Sequence, residues 1–404
     1  MLRKLSALLS LSALITACAA PDTTESSVAR ESFDVLRTPS PHAASPAVRS
    51  LLVRAGNRIC DLAADLAGDP AHNGLSDDDP DDGGWDWVLA PSSAEHTVQP
   101  SPENLYGAVA LAPWAALRGT GSPLRFRATL ENVYLGASLN PVVDSPPDFV
   151  LLTLMSDTFH RARYAQLARE RYDARVAAAG GAGALALEVS AGRQANAADG
   201  LVAYDLAWFA LAALALSESF PRAGYRDDFA AFTQPVLEDL NSPTPVFDYR
   251  NPAEPFYAQG LAWSVLVASW SRASFDLLAD LRARLLSLQL DNGAWGYNAD
   301  APEAHLQATA HALMALALIP RGYQRPHSAM HAASAWLMAQ QAENGGWVYA
   351  SEEYPLLDAE IALAIYLAET PHGSHRGLTP TGSVRAALSE PGAPARAPLS
   401  APEP

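Results

Sequence analysis

Between residues 47 and 369 apolar positions recur at helical spacing, and stretches with the two-residue alternation of a half-buried strand are scarce. Twelve stretches read as helices: 47–67, 102–117, 123–135, 147–159, 161–179, 200–218, 224–240, 254–271, 274–288, 303–319, 326–341 and 356–369. They alternate in character. The odd members carry charge on one face, as with Arg161 and Arg163, or Asp280, Arg282 and Arg284. The even members are nearly free of charge past their first turn, as from Leu105 to Leu117, Leu206 to Leu216 and Ile361 to Ala368. A helix that is apolar all round is buried all round. None of the twelve is expected to reach the roughly 20 unbroken apolar residues of a membrane span. The packing solution is all-α, an inner ring of six helices inside an outer ring of six.

A second pattern lies on top of the first. Gln289, Gly293 and Trp295 stand in the spacing Q-x3-G-x-W, at the end of one charged helix and ahead of an acidic loop and an apolar helix. The spacing returns at Gln341, Gly345 and Trp347, with Trp336 and Leu337 just before it, and more weakly at Asp79, Gly83 and Trp85. A unit repeated along a chain implies a repeat architecture. Gly293 and Gly345 are placed to supply the positive φ that ends an outer helix.

Q-x3-G-x-W before an apolar helix resembles the repeat of squalene cyclases and protein prenyltransferases, the α/α-toroid superfamily. The resemblance implies an (α/α)6 toroid over residues 47–370, with Gln289, Trp295, Gln341 and Trp347 tying neighbouring helices together. It brings no catalytic set. The zinc cysteine of prenyltransferases, which stands beside an aspartate, has its counterpart letters only in Cys60-Asp61, alone in the first outer helix. The D-x-D-D acid of the cyclases is spelled by Asp79, Pro80, Asp81 and Asp82, but in a proline-containing acidic loop and not at the start of a buried helix.

Composition and charge narrow the picture. The chain of 404 residues has a formal net charge of −17, which argues against nucleic-acid binding and against electrostatic docking on anionic lipid. Residues 1–17 read as a signal peptide: Arg3 and Lys4, then an apolar run from Leu5 to Ile15 that is too short to span a bilayer. Ile15-Thr16-Ala17-Cys18 resembles the lipobox of bacterial lipoproteins, so Cys18 is the expected lipidation site, with the outer membrane of the cell envelope as the address. An ordinary secretory signal is the alternative. With Cys18 acylated, Cys60 is left as the one thiol, a small core residue. Residues 18–46 read as a flexible tether and 371–404 as a disordered tail rich in proline and alanine.

In such a toroid the connections leading into inner helices gather at one mouth. Here those loops carry carboxylates and aromatic rings, whereas the loops of the opposite end are short and neutral to basic. Rings that stack on pyranose faces, beside carboxylates that accept hydroxyl hydrogen bonds, suit a sugar chain. Glycosidic cleavage uses a carboxylate pair. The candidate catalytic carboxylates are Asp86, Asp205, Asp358 and Glu360; a buried acid is costly unless it is bonded or used. Trp85, Trp87, Glu103, Asn104, Tyr106, Asp248, Tyr257 and His305 are the candidate substrate-binding residues. Acids at helix N-termini also serve the dipole, which accounts for Glu103, Asp148, Glu254 and Glu303 without a ligand. His311, deeper in its helix, reads as a satisfied core histidine. Asp77, Asp79 and Asp81 lie in a run of aspartates that a Ca²⁺ ion, with its six to eight oxygen ligands, would relieve; a solvated acidic loop is the alternative.

Three functions stay open on this reading. The first is a lipid-anchored protein that binds or processes a glycan, as hydrolase, lyase or binder. The second is a terpenoid-cyclase-like enzyme. The third is a scaffold whose mouth binds another protein.

Overall fold

The computed structural model describes residues 44–64, 126–127, 130, 146–221, 223–271, 273–319, 326–349, 352–353 and 355–369. Its helices are α1 (Pro46–Ala64), α2 (Pro146–Phe159), α3 (Ala162–Ala178), α4 (Ala182–Ala195), α5 (Val202–Ser219, entered through a 3-10 turn at Asp199–Leu201), α6 (Tyr225–Leu240), α7 (Tyr257–Trp270), α8 (Phe275–Ser287), α9 (Leu306–Leu318), α10 (His327–Ala339) and α11 (Pro355–Glu369). A two-residue ribbon pairs β1 (Val348–Tyr349) with β2 (Glu352–Glu353).

The helices form two layers, as the alternation of charge predicts. The apolar helices α2, α5, α7, α9 and α11 each pack on the next, in an arc that is the inner ring. Helices α3, α6, α8 and α10 pack outside their inner partners, and α1 packs on α11. Every residue of α7 is buried, whereas α8 buries only Leu278, Leu281 and Leu285 along one stripe. The chain is therefore an all-α protein of α/α-toroid architecture. The expected inner helix at 102–117 and most of the outer helix at 123–135 lie outside the described residues, as do the expected signal and tail; of the expected tether only 44–46 is described, where Ala44 is buried and Pro46 opens α1.

The repeat turns hold the layers in register. Gly293 and Gly345 adopt φ of +92° and +96°. A Cβ on either would meet a backbone carbonyl of another outer helix, that of Ala332 at 2.6 Å and that of Arg54 at 2.7 Å. The Gln289 amide donates to the carbonyls of Gly293 and Ala329, both at 2.8 Å. The Gln341 amide donates likewise to Gly345 (2.9 Å) and Leu51 (3.2 Å), and accepts from the Arg54 guanidinium at 2.5 Å. Trp295 and Trp347, both fully buried, send their indole N–H 2.8 Å to the carbonyls of Leu285 and Leu337. The second repeat thus docks on α1, joining the last helices to the first.

Two expectations are corrected. Residues 182–195 are helical, where the sequence reading has no helix. Asp199–Ser219 is a run of 21 residues, long and apolar enough by length and composition to cross a membrane, contrary to expectation. It is mostly buried inside the fold because α2, α6 and α7 cover it.

Candidate functional site

The loops that enter α5, α7, α9 and α11 lock to one another at one end of the ring. Gly200 lies under the backbone of Pro255 and Phe256, where a Cβ would sit 2.7 Å from either carbonyl oxygen. The Ala258 N–H donates to Tyr297 (3.3 Å) and the Ala299 N–H to Pro252 (2.7 Å). Along this rim runs a row of rings from three loops. Phe256 and Tyr297 have centroids 5.0 Å apart, Tyr297 and His305 5.6 Å, and His305 and Tyr349 4.9 Å. Phe256, Tyr297 and His305 are half-buried and Tyr349 is exposed. Phe256 holds its place with φ of +57°, a left-handed conformation that costs a non-glycine residue about 1–3 kcal/mol.

Below the rim, four inner helices send side chains to one point. Glu360 of α11 is 1% exposed. Its Oε1 accepts from His311 Nε2 of α9 (3.1 Å) and from the Tyr204 hydroxyl of α5 (3.4 Å), and its Oε2 from the Gln307 amide (3.3 Å). The Trp263 indole N–H of α7 points at His311 Nδ1, 3.3 Å away. An indole nitrogen can only donate, so Nδ1 accepts and the imidazole proton sits on Nε2, facing Glu360. Tyr204 stacks on His311 at 4.7 Å with its ring inclined by 25°. Helices α5 and α11 are not adjacent in the inner arc, so the Tyr204–Glu360 contact reaches across the arc at that depth.

Asp205, the next residue on α5, makes a two-pronged ion pair with Arg193 of α4, at 2.6 and 2.9 Å. Burial pushes its carboxyl above the usual aspartate range, against the pull of Arg193. His305 caps α9 by accepting the Ala308 N–H at 3.2 Å, and burial holds its imidazole below the ordinary value.

The predicted residues divide accordingly. Glu360, Asp205 and His305 stand in or beside this cluster. Asp358 braces the repeat: its Oδ1 accepts the Trp347 backbone N–H at 2.6 Å, as Thr309 Oγ1 accepts that of Trp295 at 2.9 Å. Tyr257 turns its hydroxyl to the Tyr249 carbonyl (2.7 Å) under the loop and braces it. Asp248 accepts the Arg250 N–H at 3.0 Å in its own turn at the rim. His311 is buried as expected of a core histidine, yet it is the hub of the polar cluster. Asp86, Trp85, Trp87, Glu103, Asn104, Tyr106, Asp77, Asp79, Asp81 and Cys18 lie outside the described residues. Among the described residues no group of three or more His, Cys, Asp or Glu could hold a metal ion. Arg193, Trp263, Gln307 and Phe256 have roles the sequence reading lacks. Tyr297 and Tyr349 were visible as aromatic residues in mouth loops, without their order along the rim.

The fold and this end of it define an α/α toroid with an aromatic, acidic mouth above a polar floor. No family model matches the chain, and no curated protein matches it. Among solved structures, the type II terpene cyclase MstE from Scytonema, without ligand, is similar at TM-score 0.42 and 14% identity, covering 78% of this chain and 98% of that one. An unsaturated glucuronyl hydrolase specific for heparin is similar at TM-score 0.49 and 10% identity, covering 79% and 96%. Likenesses this slight do not bear on the chemistry of the present chain.

Proposed function

We propose that the mouth binds an extended polar ligand, an oligosaccharide. The observation that carries this reading is the row of Phe256, Tyr297, His305 and Tyr349, drawn from three loops and left partly open. Sugar rings present flat C–H faces that suit aromatic walls, and the rim carboxylates Asp248, Glu254 and Glu303 are acceptors for hydrogen bonds from sugar hydroxyls. Binding is favoured over cleavage because both central carboxylates are engaged, Asp205 by Arg193 and Glu360 by three donors. An apolar chain of terpenoid length is disfavoured at this end, since Tyr204 and Glu360 join across the inner arc there.

Titration calorimetry against glucan, N-acetylglucosamine and uronate hexamers and polyprenyl diphosphates tests the reading. One glycan class should bind, and Tyr349→Ala should weaken it about five- to tenfold, or ~1–1.4 kcal/mol, by loss of stacking. Binding to prenyl chains alone would overturn it in favour of the cyclase-like reading, and binding to none in favour of a protein-binding scaffold. We further propose that Cys18 anchors the chain in the bacterial envelope. Cys18→Ser should then shift it from the detergent phase to the aqueous phase, and an unchanged partition would contradict the anchor.

A further inference from the structure

His305 brings to the rim an N–H that the fold leaves unused. Its Nδ1 accepts the Ala308 N–H at 3.2 Å as the cap of α9, so the imidazole proton sits on Nε2. Burial disfavours the imidazolium, and a proton on Nδ1 would also break the cap, so the ring is a neutral donor of fixed tautomer. Among the described residues no group accepts from Nε2, and the atom is not shut away from solvent. An N–H in a ring that the helix cap keeps from flipping is a preorganised donor.

A second, independent observation concerns what stands beside it. The Tyr297 and Tyr349 rings have centroids 5.6 and 4.9 Å from that of His305, inclined by 49° and 56°. Tyr349 nevertheless keeps 41% of its surface open, so part of its ring remains for a ligand. A group that reaches Nε2 therefore meets aromatic surface as well as a donor. A hydroxyl brings only a polar atom. An acetamido group brings a carbonyl acceptor and a methyl that gains from leaving water. A carboxylate meets the wrong field, because Asp300 and Glu303 stand exposed in the loop that leads to His305. The Arg250 guanidinium of the neighbouring loop is taken up by Asp248 at 3.9 Å and by the Tyr249 ring at 4.2 Å.

We propose that His305 sets the specificity of the mouth: its Nε2–H donates to the acetamido carbonyl of an N-acetylated sugar, whose methyl lies against the open part of Tyr349. This rests on the oligosaccharide reading and deepens it: the preferred ligand is a neutral chain of N-acetylhexosamines, ahead of plain glucans, free amino sugars and uronates. The formal charge of −17 would by itself favour a free amine, so a preference for the acetylated chain isolates the donor and the methyl.

The test is titration calorimetry on the full chain with four hexamers: N-acetylglucosamine, glucosamine, glucan and uronate. The N-acetylglucosamine hexamer should bind about five- to tenfold more tightly than the glucan hexamer, the effect of one neutral hydrogen bond and a methyl contact. It should also bind more tightly than the glucosamine and uronate hexamers. His305→Asn keeps the cap through its amide oxygen but is too short to reach the sugar, and should bring the ratio of acetylated to glucan affinity towards one. Tyr349→Ala, at an exposed position, should lower the same ratio and tests the inference even where His305→Asn fails to fold. Equal binding of the acetylated and glucan hexamers, or tighter binding of the glucosamine or uronate hexamer, would overturn the inference and leave the oligosaccharide reading intact. An undiminished ratio in folded His305→Asn, or in Tyr349→Ala, would also overturn the inference alone. Silence from all four hexamers would overturn both.

Discussion

His305 does two jobs whose protonation requirements coincide. It caps α9 through an unprotonated Nδ1, and it sits in the ring row of the rim. Burial lowers its pKa below the ordinary 6.5, so the folded state disfavours the imidazolium. Its contribution to stability is therefore complete above pH 6.5 and is lost as the pH falls through the lowered folded value. Asp205 runs the other way: its raised pKa makes the folded state more tolerant of acid, and that contribution is lost as pH rises through the folded value. Asparagine caps helices well without titrating. His305→Asn should thus keep the neutral-pH stability within the roughly 1 kcal/mol of a cap and flatten its fall between pH 7 and pH 5. Thermal melts across that range check this; an unflattened slope would remove His305 from the acid response.

At the scale of elements, α4 is the piece that the sequence reading does not contain. Its segment carries Gly180, Gly181, Gly183 and Gly192, which lower helix propensity, and it buries only Ala182, Leu185 and Ala186. With so little apolar surface the helical period is faint. The helix forms because α6 and α5 take its buried face, which is a tertiary fact. Missing α4 meant missing Arg193 and so the partner of Asp205. The inner helices and the repeat turns, by contrast, were legible, because unbroken apolar runs and the Q-x3-G-x-W spacing are local signals. The rim row was only half legible, since Phe256, Tyr297 and Tyr349 meet through loop packing that no spacing encodes. Arg193→Met should leave Asp205 without its cation in a mostly buried position and destabilise the protein by about 1–3 kcal/mol. Arg193→Met with Asp205→Asn should recover part of that loss in denaturant melts. No difference between single and double variants would show the pair to be uncoupled.

For the whole molecule, the repeat organises both closure and function. Gln341 and Gly345 dock on α1 just as Gln289 and Gly293 dock on α10, so the chain's last helices lean on its first. The loops before α5, α7, α9 and α11 come to one end, where aromatic rings and carboxylates collect over the polar cluster of Tyr204, Trp263, His311 and Glu360. The connections that leave inner helices, at 160–161, 220–221 and 273–274, lie at the other end. The central claim is that ligand binds at the first end. Hydrogen–deuterium exchange of the full chain, with and without the oligosaccharide that binds in the calorimetry, tests it most directly. Protection should fall on 196–204, 245–259, 295–307 and 347–349. Protection at 160–161, 220–221 and 273–274 instead would contradict the account.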